Sequence, residues 1–217
     1  MVADLRFTDP SERDDLGAFV ARAVRLDQQA VVRLRARADD AQHEGDFIDA
    51  WVATPFDVLA TRTARGTLDP SDMTVSGNEL LAALAVVRGD RLDPGPSRDM
   101  MWRSALPPTR HWQVVDLLPA STVSELADKG IALARENVGP QGTPPASLLD
   151  QTVLTVSGDG LEVKVPLRCL FALSGMGFLT DGEDEQIRVT ATDAWMRLDA
   201  RYGAVVRRRH ALLPLLV

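Results

Sequence analysis

Cysteine occurs once in this sequence, at Cys169, so an intrachain disulfide and a cysteine-rich metal centre are both excluded. Its neighbours Leu167, Leu170 and Phe171 predict a buried small hydrophobe rather than a reactive thiol. Lysine is nearly absent: only Lys129 and Lys164 stand among 24 basic residues, the rest being arginine. Together with abundant Ala, Val and Asp, that bias reads as the coding composition of a GC-rich bacterial genome. Three histidines, His43, His111 and His210, lie far apart with no ligand spacing, which argues against a histidine metal centre. Aromatics make up only 5% of the chain, too few for an extended base-stacking platform.

Long apolar runs are also missing. The longest, Leu80–Val87, falls well short of the ~20 residues that span a bilayer. The beginning, MVADLRFTDP, has no apolar core of a signal peptide, so a cytoplasmic protein is expected. The C-terminal passage Arg207–Val217 supplies too little apolar area for a membrane anchor, and Pro214 would break a helix there. Net charge is -7, so phosphate backbones would repel the molecule as a whole and nucleic acid is an unlikely partner. Catalytic signatures are absent too: there is no GxxxxGK[ST], no GxGxxG after a strand, no HExxH and no GxSxG. Ser121, His111 and Asp116 can be nominated as a triad, but nothing in their spacing specifies one. The acidic groups Asp14-Asp15, Asp39-Asp40 and Glu183-Asp184-Glu185 suit a helix first turn or solvated loops better than acid/base pairs. No catalytic residue, metal ligand or cofactor site is assigned.

What is present is a chain of 217 residues, 45% hydrophobic and 25% charged, the composition of an ordinary globular fold. Asp9-Pro10-Ser11-Glu12 combines an N-cap residue, proline at the first helical position and a capping carboxylate. Leu16, Phe19, Val20, Ala23 and Val24 follow as a one-sided stripe, so a helix is predicted there. Ala30–Ala38 alternates with period two: Val32, Leu34 and Ala36 on one face, Arg33, Arg35 and Arg37 on the other. After a polar loop at Asp39–Asp46, Ile48–Thr54 and Asp57–Ala64 read as strands joined across Pro55-Phe56. Thr67–Val75 is expected to cross over and touch the sheet at Met73–Val75. Asn78 is then expected to cap an apolar helix, Glu79–Arg88, that ends at Gly89.

From Asp90 to Pro119 periodicity dissolves, and five prolines with Gly95 argue against long regular elements. Thr122-Val123-Ser124-Glu125 reads as a second capping box, opening a helix to Asn137 with Val123, Leu126, Ala127 and Ala134 inward. Gly139–Pro145 reads as a linker. Thr152–Ser157 and Leu161–Val165 flank the turn Gly158-Asp159-Gly160, a hairpin signal, and Pro166 opens a short helix, Leu167–Leu173. The acidic turn Asp181–Glu185 leads to a strand at Ile187–Thr192 and then to a hairpin beginning at Asp193-Ala194-Trp195.

The fold class predicted is α+β: antiparallel meanders packed against two longer amphipathic helices and two short apolar ones. The parts are an N-terminal half at 1–89, an irregular Pro/Met/Trp-rich connection at 90–119 and a C-terminal half at 120–217. Both halves carry Asp-Ala-Trp at the head of a ribbon, an echo compatible with two equivalent halves.

Two features suggest binding. Arg33, Arg35 and Arg37 project from one strand face and suit carboxylate or phosphate. The connection gathers Met101, Trp102, Arg103, Arg110, His111 and Trp112, residue types enriched at recognition surfaces. The function expected is a non-catalytic binding or scaffolding protein that meets a protein partner or a second copy of itself. The alternatives are a small-molecule pocket between the halves, lined by Trp51, Trp195 and the connection, and an enzyme of unfamiliar type.

Overall fold

The computed structural model describes residues 3–37, 46–87, 89–137, 144–158, 160–180, 182 and 184–209. The expectations for the polar loop, most of the linker, part of the acidic turn and the C-terminal tail fall wholly or partly outside those residues. The chain is α+β with antiparallel sheet, two long helices and two short apolar ones, as the sequence predicts, plus a single helical turn. It divides into two compact units: Met1–Pro55 with Leu59–Ala105, and Phe56–Val58 with Leu106–Val217.

The first unit begins with β1 (Asp4–Phe7) and α1 (Pro10–Leu26). Asp9 caps α1, its carboxylate accepting the Ser11 amide at 2.7 Å. The second half of the expected capping box goes elsewhere, because Glu12 accepts the amide of Arg65 at 3.2 Å. Leu16, Phe19, Val20 and Ala23 are buried, each large side chain contributing about 1.5–3 kcal/mol as an upper bound.

Strands β2 (Val31–Arg37), β3 (Phe47–Thr54), β4 (Val58–Asp69) and β5 (Asp72–Ser76) follow, then α2 (Gly77–Val86) and the short β6 (Arg91–Leu92). The sheet order is β5-β2-β3-β4, with β1 pairing β4 and β6 pairing β1. Val32, Leu34, Ile48, Ala50, Val52, Met73 and Val75 are all at most 3% exposed and form the core face.

Three local expectations change here. Thr67–Asp69 belongs to β4, because β1 pairs along it from Phe7↔Gly66 to Asp4↔Asp69. At that crossing a side chain on Gly66 would lie 2.0 Å from the Arg6 carbonyl oxygen, so only glycine fits. The cap of α2 is Ser76, whose hydroxyl accepts the Glu79 amide, while Asn78 donates to the Gln28 carbonyl at 2.7 Å. Gly89 does not terminate α2. Instead Arg13 donates from α1 to the carbonyls of Val87 at 2.9 Å and Gly89 at 3.2 Å.

In the second unit β7 (Gln113–Pro119) runs into α3 (Ala120–Glu136), followed by the turn α4 (Ala146–Leu149). The hairpin β8 (Thr152–Gly158) and β9 (Leu161–Pro166), α5 (Leu167–Gly175) and the strands β10 (Gln186–Ala191), β11 (Trp195–Ala200) and β12 (Gly203–Arg208) complete it. The order is β12-β11-β10-β7, with β8-β9 as a separate pair. The hairpin and Pro166-initiated helix stand where the sequence places them, with Gly160 at φ +78° in the turn.

Strand β7 is a correction to the irregular reading of 90–119. Pro107 and Pro108 precede it and Pro119 is its last residue, so no proline interrupts its ladder to β10. Helix α3 begins two residues before the predicted Thr122 box. Its first amide, Ala120, donates to the Glu185 carbonyl at 2.8 Å, and Pro119 supplies the extended entry. Val123, Ala127 and Ala134 point inward as predicted.

Candidate functional site

Register decides which side chains share a face. Directly opposed residues of an antiparallel pair lie on the same side. Arg33, Arg35 and Arg37 of β2 stand opposite Trp51, Asp49 and Phe47 of β3. On the other side Arg33 and Arg35 stand opposite Thr74 and Asp72 of β5. The arginine stripe therefore sits among aromatics and aspartates that the single strand lacks.

Asp72 holds Arg33 in a two-point pair, with Nε and Nη2 each at 2.8 Å from separate carboxylate oxygens. That pairing raises the pKa of Arg33 further above its ordinary value. Both partners are part-exposed, so the pair contributes about 0.2–1 kcal/mol. Arg35 reaches Asp72 only at 4.0 Å, and Arg37 reaches Asp49 only at 3.8 Å. Asp49 is already engaged by the Thr63 hydroxyl at 2.6 Å. The Arg37 guanidinium lies 5.3 Å from the Phe47 ring centre, and Arg65 of β4 lies 5.8 Å from the same ring. Among the described residues four arginines thus meet two aspartates on this face, and Arg35 has donors to spare.

The open edge of β5 is covered by the segment after β6. The Arg98 amide donates to the Thr74 carbonyl at 2.6 Å, and the Thr74 amide donates to Asp99 Oδ1 at 2.6 Å. An unpaired strand edge is thereby satisfied by a loop. The Ser97 hydroxyl, the Thr74 amide and nearby Arg33 hold the Asp99 carboxyl below its ordinary pKa of 3.8. Arg98 also reaches Glu79 at 3.2 Å. A single 3-10 turn, Asp99–Met101, results. It carries Met100 at 84% and Met101 at 52% exposure. Trp102 is half-buried, with its Nε1 donating to the Ser104 carbonyl at 2.5 Å and its ring 5.9 Å from the Arg33 guanidinium carbon. Arg103 is exposed and makes no hydrogen bond or ion pair among the described residues.

The structure therefore joins two features that the sequence keeps apart: the Arg33 stripe and Met101-Trp102-Arg103 belong to one unit. The remaining candidates, Arg110, His111 and Trp112, belong to the second unit. Arg110 and His111 are exposed, His111 adopts φ +68°, and Trp112 donates from Nε1 to the Pro108 carbonyl at 2.9 Å.

Sequence reasoning missed a second polar cluster. Arg168 of α5 is 7% exposed, and its guanidinium bonds Asp150 at 2.6–2.8 Å and the Phe56 carbonyl at 2.7 Å. Arg207 reaches Asp57 at 3.3 Å and Asp150 at 3.6 Å. Phe56 meets Phe171 edge to face with centroids 5.8 Å apart. Charge is balanced within this cluster, which secures residues 56–58 in the second unit. Cys169 beside it is buried, and burial pushes its thiol up to about 12. Among the described residues no group of three His, Cys, Asp or Glu side chains could hold a metal, and no helix is long and apolar enough to cross a membrane.

Two family models match the chain in succession. Residues 1–104 match a domain of unknown function, DUF8010, and residues 107–212 match another, DUF8185. No curated protein matches. Among solved structures, the chain resembles the DNA polymerase sliding clamp of Bacillus subtilis, with a TM-score of 0.57 at 12% identity over 98% of this chain. It also resembles the clamp of Caulobacter crescentus, with a TM-score of 0.56 at 14% identity over 97%. A sliding clamp of Bartonella birtlesii bound to griselimycin gives a TM-score of 0.53 at 11% identity over 98%. The chain spans 66% of the length of each of these clamps. At such identities the likeness is one of fold: this is a sliding-clamp-like α+β chain.

Proposed function

We propose that the chain is a non-catalytic cytoplasmic scaffold. It works through protein contacts made on the β2–β5 side of the arginine face and on the Met100–Arg103 turn beside it. The observation that carries this reading is the exposure of Met100 and Met101 on a turn that two hydrogen bonds fix to Thr74 of β5 and a third fixes to Glu79 of α2. Two adjacent exposed methionines on an anchored segment offer a compact, adaptable apolar surface of the kind that binding patches use. The clamp-like fold and the absence of catalytic signatures in the sequence agree with a scaffold. Nucleic acid is disfavoured as the principal partner, because Asp49 and Asp72 interrupt the arginines and net charge is -7.

The test is cross-linking of the tagged full chain in lysate of its own organism, with cross-links mapped by mass spectrometry. A partner protein should cross-link to the 97–104 segment, and Met100→Ser with Met101→Ser should remove it. Partner cross-links mapping only elsewhere, or a small molecule as the sole captured species, would overturn the reading.

A further inference from the structure

The geometry points to an acidic peptide segment with a central apolar side chain as the occupant of this patch. The inference rests on the scaffold reading and adds the chemistry of the partner.

Charge is the first argument. In a chain of net charge -7, the described residues of the face set Arg33, Arg35, Arg37 and Arg65 against Asp49 and Asp72, with Asp99 and Arg103 on the adjoining segment. The two carboxylates are engaged by Arg33 and Thr63. Among the described residues Arg35 meets no carboxylate closer than Asp72 at 4.0 Å and Arg103 meets none, so both keep guanidinium donors that match incoming carboxylates two at a time. Phosphate offers the same oxygen chemistry. A polyanionic strand laid along the stripe would, however, bring its phosphates against Asp49 and Asp72. An acidic peptide places its few carboxylates discretely, so it can meet Arg35 and Arg103 alone.

The apolar contact is the second argument. Met100 and Met101 are exposed although their backbone is fixed, and thioether side chains adapt to partners of varied shape. A nucleic-acid backbone has nothing to place there, whereas a Leu or Phe flanked by Asp and Glu fills it. Trp102, half-buried beside Arg33, forms the firm floor between the charged and apolar parts.

The experiment uses the full chain and a fluorescein-labelled peptide of Glu and Asp around a central Leu-Phe, read by fluorescence anisotropy. An all-acidic peptide without Leu-Phe, a neutral peptide with Leu-Phe and oligo-dT are the comparison probes. The acidic Leu-Phe peptide should bind most tightly and weaken as salt shortens the screening length. Arg35→Glu combined with Arg103→Glu should weaken it by about tenfold or more. Met100→Ser combined with Met101→Ser should weaken it by about tenfold while removing the advantage over the all-acidic probe. Melting of each variant near that of the parent shows that folding is intact. Equal binding of the all-acidic peptide, tighter binding of oligo-dT, or indifference to both pairs of substitutions would overturn the inference. If cross-links still fall on residues 97–104 while the acidic peptide fails, only the partner chemistry is wrong and the scaffold reading stands.

Discussion

Replacing Arg168 by Met tests how the second unit holds residues 56–58. The guanidinium is 7% exposed and supplies bonds to Asp150 and to the Phe56 carbonyl at 2.7 Å. Breaking a buried ion pair can cost about 3–5 kcal/mol because a charge is left stranded. Here the stranded groups are exposed, Asp150 by 53% and Asp57 by 81%, so water takes over and each lost pair costs about 0.5 kcal/mol. The carbonyl of Phe56 is different, since losing its donor costs about 1–3 kcal/mol. Methionine retains most of the packing volume. The sum is about 2–4 kcal/mol, or a fall of about 4–16 °C in Tm at this chain length. Arg168→Ala adds a cavity and should fall further. Calorimetry gives the Tm, and hydrogen exchange should show faster exchange at residues 56–58. A melting point and an exchange pattern both unchanged in Arg168→Met would refute the reasoning.

Four further predictions concern other parts of the chain. Gly66→Ala should destabilise by several kcal/mol, because the new methyl meets the Arg6 backbone oxygen, which cannot swing away as a side chain can. Gly130→Ala should cost less, about 1 kcal/mol in urea titration, since helix propensity returns about 1 kcal/mol against the clash with Leu167 Cδ1. Asp99→Ala should cost about 1 kcal/mol through the buried Thr74 amide it leaves unpaired. The Asp99 carboxyl sits below its ordinary value, so its contribution is present above pH ~4 and lost as pH falls through the lower folded value; in Asp99→Asn that acid step should vanish from the Thr74 amide exchange. Cys169 should resist iodoacetamide at pH 8 in the folded protein and react only on denaturation, because its thiol is buried and raised to about 12.

Where the sequence speaks locally, the structure follows it. Asp9-Pro10 starts α1, the Gly158–Gly160 turn makes its hairpin, and the alternation at Val31–Arg37 turns three arginines to one side. The misreadings share one cause, a partner distant in sequence. The full length of β4 depends on β1, the early start of α3 depends on Glu185, and the end of α2 depends on Arg13. Ser76 and Asn78 are both competent caps, and Asn78 is diverted to Gln28. The candidate site follows the same rule. Period two gives the arginine stripe, but only register brings Phe47, Asp49 and Asp72 beside it. The composition of the connection suggests recognition, while the Asp99–Thr74 bond that anchors the segment carrying its methionines has no signature in the sequence.

The most direct test of a docking face is hydrogen exchange on the full chain, alone and with the partner protein that cross-links to it. The account predicts slower exchange in β2, β5 and residues 97–104, with the Phe56–Arg168 region unchanged. Protection confined to the second unit, or none at all in a saturated complex, would contradict it.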